Sequence, residues 1–138
     1  MTGRVAHQFL AFGCVGVIGF AVDAGVLQAL KATAGLYWGR GASFLAAVLV
    51  TWVLNRRFTF RDRRSGVSPA GELAGYLSLM LGGGAANLGA YTVLVSGVGW
   101  FREYPVFAVA AGSLSGMLIN FVSARQLLFR QRRDGGRA

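Results

Sequence analysis

Four apolar stretches divide the chain, at about residues 9–30, 42–60, 73–97 and 105–124. Each approaches the ~20 residues that an α-helix needs to cross ~30 Å of hydrocarbon. The pattern predicts an all-α integral membrane protein with four transmembrane helices. The first stretch does not read as a cleaved signal peptide, because its apolar core is too long and no small-x-small site closes it. Ala11-Phe12-Gly13-Cys14 faintly resembles a lipoprotein cleavage box, but the apolar run continues past it.

The pattern also repeats. A shift of 64 residues carries Gly19, Ala21, Asp23 and Gly25 onto Gly83, Ala85, Asn87 and Gly89. A shift of 69 carries Leu45, Leu49, Val53, Arg56, Phe60 and Arg61 onto Leu114, Leu118, Val122, Arg125, Phe129 and Arg130. Each copy holds two helices, so the repeats are two parallel hairpins, a layout known among transporters with the site between repeats. The expected organisation is one membrane domain over 1–138. Repeat one covers about 8–61, a linker rich in breakers about 62–71, repeat two about 72–130, and a basic tail 131–138.

Composition fits this picture. The chain is 54% hydrophobic and only 14% charged, where soluble domains carry about 25% charged residues. Its net charge of +9 would suggest nucleic acid in a soluble protein. Here the positive residues cluster at the edges of apolar runs, which favours a membrane and anionic lipids, with no nucleic acid as partner. Eleven of the fourteen basic residues lie in the N-terminal segment, the 56–64 cluster and the stretch from Arg125 to Arg137; Lys31, Arg40 and Arg102 lie in the other two loops. The positive-inside rule then puts both termini and the central loop in the cytoplasm. Tyr37 and Trp38, and Trp100, Phe101 and Tyr104, fall in the outer loops where an aromatic belt would sit. A lone cysteine, Cys14, leaves no intrachain disulfide to form.

Asp23 is the most conspicuous polar residue, a carboxylate among glycines, alanines and branched aliphatics. Charge near a helix centre costs ~2.5–3.5 kcal/mol on the insertion scale, so it must face protein or water. It reads either as a structural pair with Arg40 or Asn87, or as a proton or ligand site. Gly16 and Gly19 share its face and admit a close neighbour. Gly82-Gly83-Gly84 reads as tight packing or as a flexible break lining a cavity, with Asn87 as the polar group presented there. The fourth helix offers Ser113, Ser115 and Asn120, which serve either interhelical hydrogen bonding or a substrate.

Asn55-Arg56-Arg57-Phe58-Thr59-Phe60-Arg61 is the most specific string. Arginine forks grip phosphate in a bidentate way. The string therefore reads as a phosphate site fed by Arg125 from the second copy, or as plain anchoring to anionic headgroups. His7 is too isolated for a metal site, and Gly82–Gly84 lacks the following Lys-Ser/Thr of a nucleotide loop. With five acidic residues and no carboxylate pair, nothing points to hydrolysis or group transfer, and no cofactor or metal is expected.

These residues resemble the GtrA-like membrane proteins. Residues 8–30, QFLAFGCVGVIGFAVDAGVLQAL, followed by NRRFTF at 55–60, carry the likeness, and INFVSARQLLF at 119–129 looks like that family's weaker second copy. The family pattern maps onto Phe9, Gly13, Gly16, Asp23, Asn55, Arg56, Phe58, Thr59 and Phe60. The likeness implies four helices, a bacterial or archaeal inner membrane, and a role in cell-surface polysaccharide synthesis. It implies flipping of a polyprenyl-phosphate-linked sugar rather than an enzyme activity. In that reading Arg56, Arg57 and Arg125 meet the phosphate, Asp23 and Asn87 hydrogen-bond the sugar, and Asn55 and Asn120 belong to the same substrate-binding set. Ala124 departs from the pattern, replacing the asparagine that precedes the arginine in the first copy, and argues against a second equivalent phosphate site. Two other readings remain: a non-transporting anchor that recruits a glycosyltransferase, and a small four-helix cation or drug exporter, which the mouth arginines disfavour. Four short helices hardly enclose a sugar-sized path, so a homodimer is expected.

Overall fold

The computed structural model describes residues 2–30, 33, 35–63 and 65–130. The basic tail, Lys31, Arg64 and the side chains of Tyr37 and Arg40 lie outside the described residues. Every element among the described residues is helical. In order they are α1 (Thr2–Leu30), α2 (Gly35–Leu54), a π-helical turn (Asn55–Thr59), α3 (Pro69–Gly97), α4 (Gly99–Glu103), α5 (Pro105–Ser123) and a second π-helical turn (Ala124–Leu128).

Three of these are long and apolar enough to cross a membrane: Gly3–Leu30, Pro69–Gly97 and Phe107–Leu128. α2 has 20 residues, and the side chains at 35–37 and 40 lie outside the described residues.

Helix boundaries depart from the hydropathy pattern at the starts. α1 begins at Thr2, well before residue 9, because no proline ahead of the apolar run stops the helix. α3 begins at Pro69, inside the stretch expected to be linker. Ser68 caps it, its hydroxyl accepting from the Gly71 N–H at 3.2 Å, and Pro69 fills the first helical position, where its missing N–H costs nothing. Just before it, Gly66 turns the chain with φ of 75°, a conformation natural to glycine. α3 then runs unbroken through Gly82–Gly84. The flexible-break reading of the glycines is thus not what forms. In hydrocarbon every backbone group must be bonded within its own segment, which favours the intact helix.

The chain forms two compact units, Met1–Leu73 with Phe129–Ala138, and Ala74–Leu128. In the first, α1 packs on α2. A Cβ at Gly19 would lie 2.4 Å from the Thr51 methyl, so the absent side chain is what lets the helices meet. Thr51 returns its hydroxyl to the Ala47 carbonyl at 2.8 Å and turns the methyl outward. Phe12, Val15, Val48 and Phe60 are buried. Phe60 tilts against Phe12 at 6.1 Å and stacks on Phe129 at 4.8 Å between ring centroids. Inside a bilayer such contacts stabilise through dense packing rather than by excluding water.

In the second unit α3 packs on α5, and glycines again set the spacing. A Cβ at Gly83 would overlap the Asn120 amide, one at Gly112 would meet the Asn87 side-chain and backbone oxygens at 2.5 and 2.7 Å, and one at Gly116 the Gly83 carbonyl at 2.7 Å. α4 gathers aromatic rings beyond α3, with Trp100 at 5.1 Å from Phe101, 5.5 Å from Tyr104 and 4.9 Å from Phe107.

The repeat extends into backbone detail. The two π turns begin at Asn55 and Ala124, positions related by the shift of 69. Gly19 opposite Thr51 becomes Gly83 opposite Asn120 under the same shifts. The first helices match at 64 and the second at 69; the difference is the five residues of α4.

Candidate functional site

The π turn at Asn55–Thr59 closes the first hairpin. Its wide loop bonds Phe60 N–H to the Asn55 carbonyl at 2.8 Å, a five-residue step. Such turns are rare and concentrate at functional sites. Two polar side chains are buried inside it: the Thr59 hydroxyl donates to Asn55 Oδ1 at 2.7 Å, with Asn55 and Thr59 exposed by 1% and 4%. A buried pair of this kind stabilises by about 1 kcal/mol and, more importantly, fixes the turn. The turn sends Arg57 and Phe58 outward to exposed positions and leaves Arg56 half-buried.

Arg56 lies at a cleft of about 480 Å³ lined by Trp52, Val53, Arg56, Arg57, Arg61, Arg63 and Glu72. Four guanidinium groups and one carboxylate make its charge strongly positive. Glu72, on the first turn of α3, is the structural centre of the wall and is only 2% exposed. Its Oε1 accepts from the Trp52 indole N–H at 2.9 Å and faces Arg56 Nε at 3.5 Å. Its Oε2 accepts from the Ser65 hydroxyl. Arg56 also stands over the Trp52 ring, 5.6 Å from the centroid, a cation–π arrangement that holds the guanidinium in place. Arg63 donates to the Phe129 carbonyl at 2.9 Å. Asp62 sits beside the cleft, bonded to Arg4 at 2.5 Å and 3.9 Å from Arg61. Such a wall suits a phosphate: several forked donors, one of them pre-oriented, and a hydrophobic floor beside them.

Asp23 is elsewhere in the same unit. Its Oδ1 accepts from the Ser43 hydroxyl at 2.6 Å, and Ser43 is fully buried. Ser43 and Asn55 are twelve residues apart on one hairpin arm, which is roughly 18 Å of helix. The carboxylate and the arginine cleft are therefore well separated along the hairpin. Of the two expected partners, the side chain of Arg40 lies outside the described residues, and Asn87 belongs to the second unit. Ser43 was not foreseen.

Asn87, Asn120 and Arg125 lie in the second unit. Asn87 packs into the gaps left by Gly112 and Gly116. It also lines a shallow cavity of about 190 Å³ with Gly84, Leu88, Tyr91 and Val109. Asn120 lies over Gly83, and its Oδ1 is buried with no hydrogen-bond partner among the described residues. Arg125 stands on the second π turn, whose buried positions are Ala124 and Leu128 where the first turn has Asn55 and Thr59.

The structure thus brings together Asn55, Arg56 and Arg57 and adds Arg61, Arg63, Trp52 and Glu72 to them. Glu72, like Ser43, is a residue that the sequence alone does not single out. It stands at the border of the expected linker, yet the 64-residue shift pairs it with Gln8, which is also buried. An acid at a repeat position, among arginines, was the available signal. Among the described residues no three His, Cys, Asp or Glu side chains gather to hold a metal.

The chain matches the family described as GtrA/DPMS, transmembrane domain, over residues 11–129. No curated protein matches it. With most of its length inside the match, this chain belongs to the GtrA/DPMS transmembrane family, and it is a membrane protein.

Proposed function

We propose that the protein flips a polyprenyl-phosphate-linked sugar across a bacterial or archaeal inner membrane for cell-surface polysaccharide synthesis, without catalysing a reaction. The observation that carries this reading is the arginine cleft beside the π turn, with family membership in support. A lipid of this kind has an anionic phosphate, a polar sugar and a long apolar tail. Arg56 and Arg57 receive the phosphate, and Asn55 sets their positions through the buried turn. Asp23 with Ser43, and Asn87 with Asn120, supply hydroxyl partners at depths where hydrocarbon offers none. A carboxylate repels phosphate, so its separation from the cleft fits a path on which the sugar meets it. Arg125 adds positive charge on the second copy, and anionic lipids surround both. In this proposal four helices cross the membrane with both termini in the cytoplasm. Two copies of the chain enclose the path, and a glycosyltransferase supplies or consumes the lipid.

Reconstitution tests it. Vesicles holding the protein should move a labelled polyprenyl-phospho-sugar between leaflets faster than empty vesicles. Arg57→Ala should weaken lipid binding by about 1.5–3 kcal/mol, and Arg57→Lys should recover only part, because an ammonium lacks the planar fork. Equal rates with and without protein would leave a recruiting anchor as the function.

A further inference from the structure

The cleft contains its own anion. Glu72 lines the cleft beside the arginines and is buried, and both its oxygens accept hydrogen bonds, from the Trp52 indole and the Ser65 hydroxyl. Arg56 approaches it through Nε and also lines the open space. A guanidinium has two donor edges, so contact through Nε still leaves the Nη1–Nη2 edge for a second anion. Arg56 is therefore shared between a fixed internal carboxylate and an incoming ligand.

We infer that Glu72 sets the charge specificity of the cleft: fixed beside Arg56, it repels anionic heads in proportion to their charge and so shifts the preference away from a doubly charged monoester and toward a singly charged phosphodiester. This rests on the phosphate-lipid reading above and extends it to the choice among phosphate lipids. A sugar joined to a lipid through one phosphate is a diester with a single negative charge. The same lipid without its sugar is a monoester with a charge near −2 at neutral pH. Four arginines alone would hold the more highly charged lipid more tightly. That is the wrong preference for a carrier of the sugar-bearing form, and one buried carboxylate at close range works against it. It also loosens the grip on the favoured ligand, and a carrier must release what it binds.

The test uses the full chain in mild detergent. Calorimetry measures binding of two soluble probes, geranyl phosphate (a monoester) and methyl geranyl phosphate (a diester). Glu72→Gln keeps the shape and most of the hydrogen bonding but removes the charge. It should tighten the monoester about tenfold and the diester about threefold, since the repulsion relieved scales with ligand charge. Equal gains for both probes, or none, in a variant that melts normally would overturn the inference and leave Glu72 as a packing residue. If Glu72→Gln does not fold, Trp52→Phe serves instead. It keeps the aromatic face under Arg56 but frees Oε1 for that arginine alone, so both probes should weaken, the monoester more. Unchanged binding there would equally overturn it. Arg56→Ala and Arg57→Ala separate this from failure of the phosphate reading itself: if neither weakens binding of either probe, the cleft holds no phosphate and the broader proposal falls.

Discussion

The two hairpins solve one packing problem with opposite chemistry. In the first, Asp23 reaches a hydroxyl on the facing helix, Ser43, and the helix position one turn on is Ala47. In the second, the corresponding residues are Asn87, Gly112 and Gly116. The polar side chain of α1 is hydrogen-bonded by its neighbour; that of α3 is accommodated by removing the neighbour's side chains. The π turns divide the same way, Asn55 with Thr59 in one and Ala124 with Leu128 in the other. A repeated backbone therefore does not imply a repeated site. The first copy keeps bonded polar groups that fix geometry, and the second keeps close helix contact.

The largest effect should come from putting the first hairpin's residue into the second. Gly116→Ala copies Ala47, but its methyl would press on the Gly83 carbonyl, a backbone atom with no rotamer to change. A loss of about 3 kcal/mol is expected, read as a lower melting temperature in detergent. If Gly116→Ala melts like the wild type, the close-contact description of the second hairpin fails.

Copying the second π turn into the first should cost less. Asn55→Ala leaves the Thr59 hydroxyl buried without Asn55 Oδ1, a penalty of about 2 kcal/mol. Adding Thr59→Val replaces both partners with apolar groups and should restore most of the stability. The double variant should still bind prenyl phosphates weakly, because Arg56 and Arg57 lose their fixed turn. Wild-type binding in that variant would mean that the polar turn serves folding alone.

Ser43→Ala removes one donor to Asp23 and should destabilise by about 1 kcal/mol. Asp23→Asn, which makes the first hairpin resemble the second, should change stability least, by under about 1 kcal/mol, since an amide oxygen still accepts from Ser43. It should nevertheless abolish most lipid translocation in vesicles. A normal rate in that variant would remove Asp23 from the path.

How much of this was legible in the sequence depended on the physics of each part. The helices were, because hydrocarbon imposes a length and a composition that leave few alternatives. The duplicated pattern and the Asn55–Arg61 string were legible too, because glycine positions and arginine spacing survive in a one-dimensional reading. Helix starts were not: Thr2–Gln8 and Pro69–Gly71 lie outside the long apolar runs, and hydropathy carries no information about helix outside the bilayer. The triple glycine was ambiguous because local propensity disfavours a helix there while the solvent demands one. Glu72 and Ser43 were hidden for a different reason. Their importance lies in partners twenty residues away, Trp52 for one and Asp23 for the other, and such a pairing exists only once the chain has turned back on itself.

α1 and α3 have 29 residues each, which is about 43 Å of helix against ~30 Å of hydrocarbon. The surplus of α1 is its polar start, which carries Arg4 to Asp62 next to the arginine cleft. In the proposed function the cleft belongs to the headgroup layer. A lipid whose tail never leaves the leaflet would reach it by sliding in two dimensions, and the quantity that competes with its affinity would be a mole fraction at the surface. Search within a plane concentrates even a scarce lipid, so a cleft used in this way would work with a weak grip and fast exchange where a site for a dissolved ligand would need a tight one.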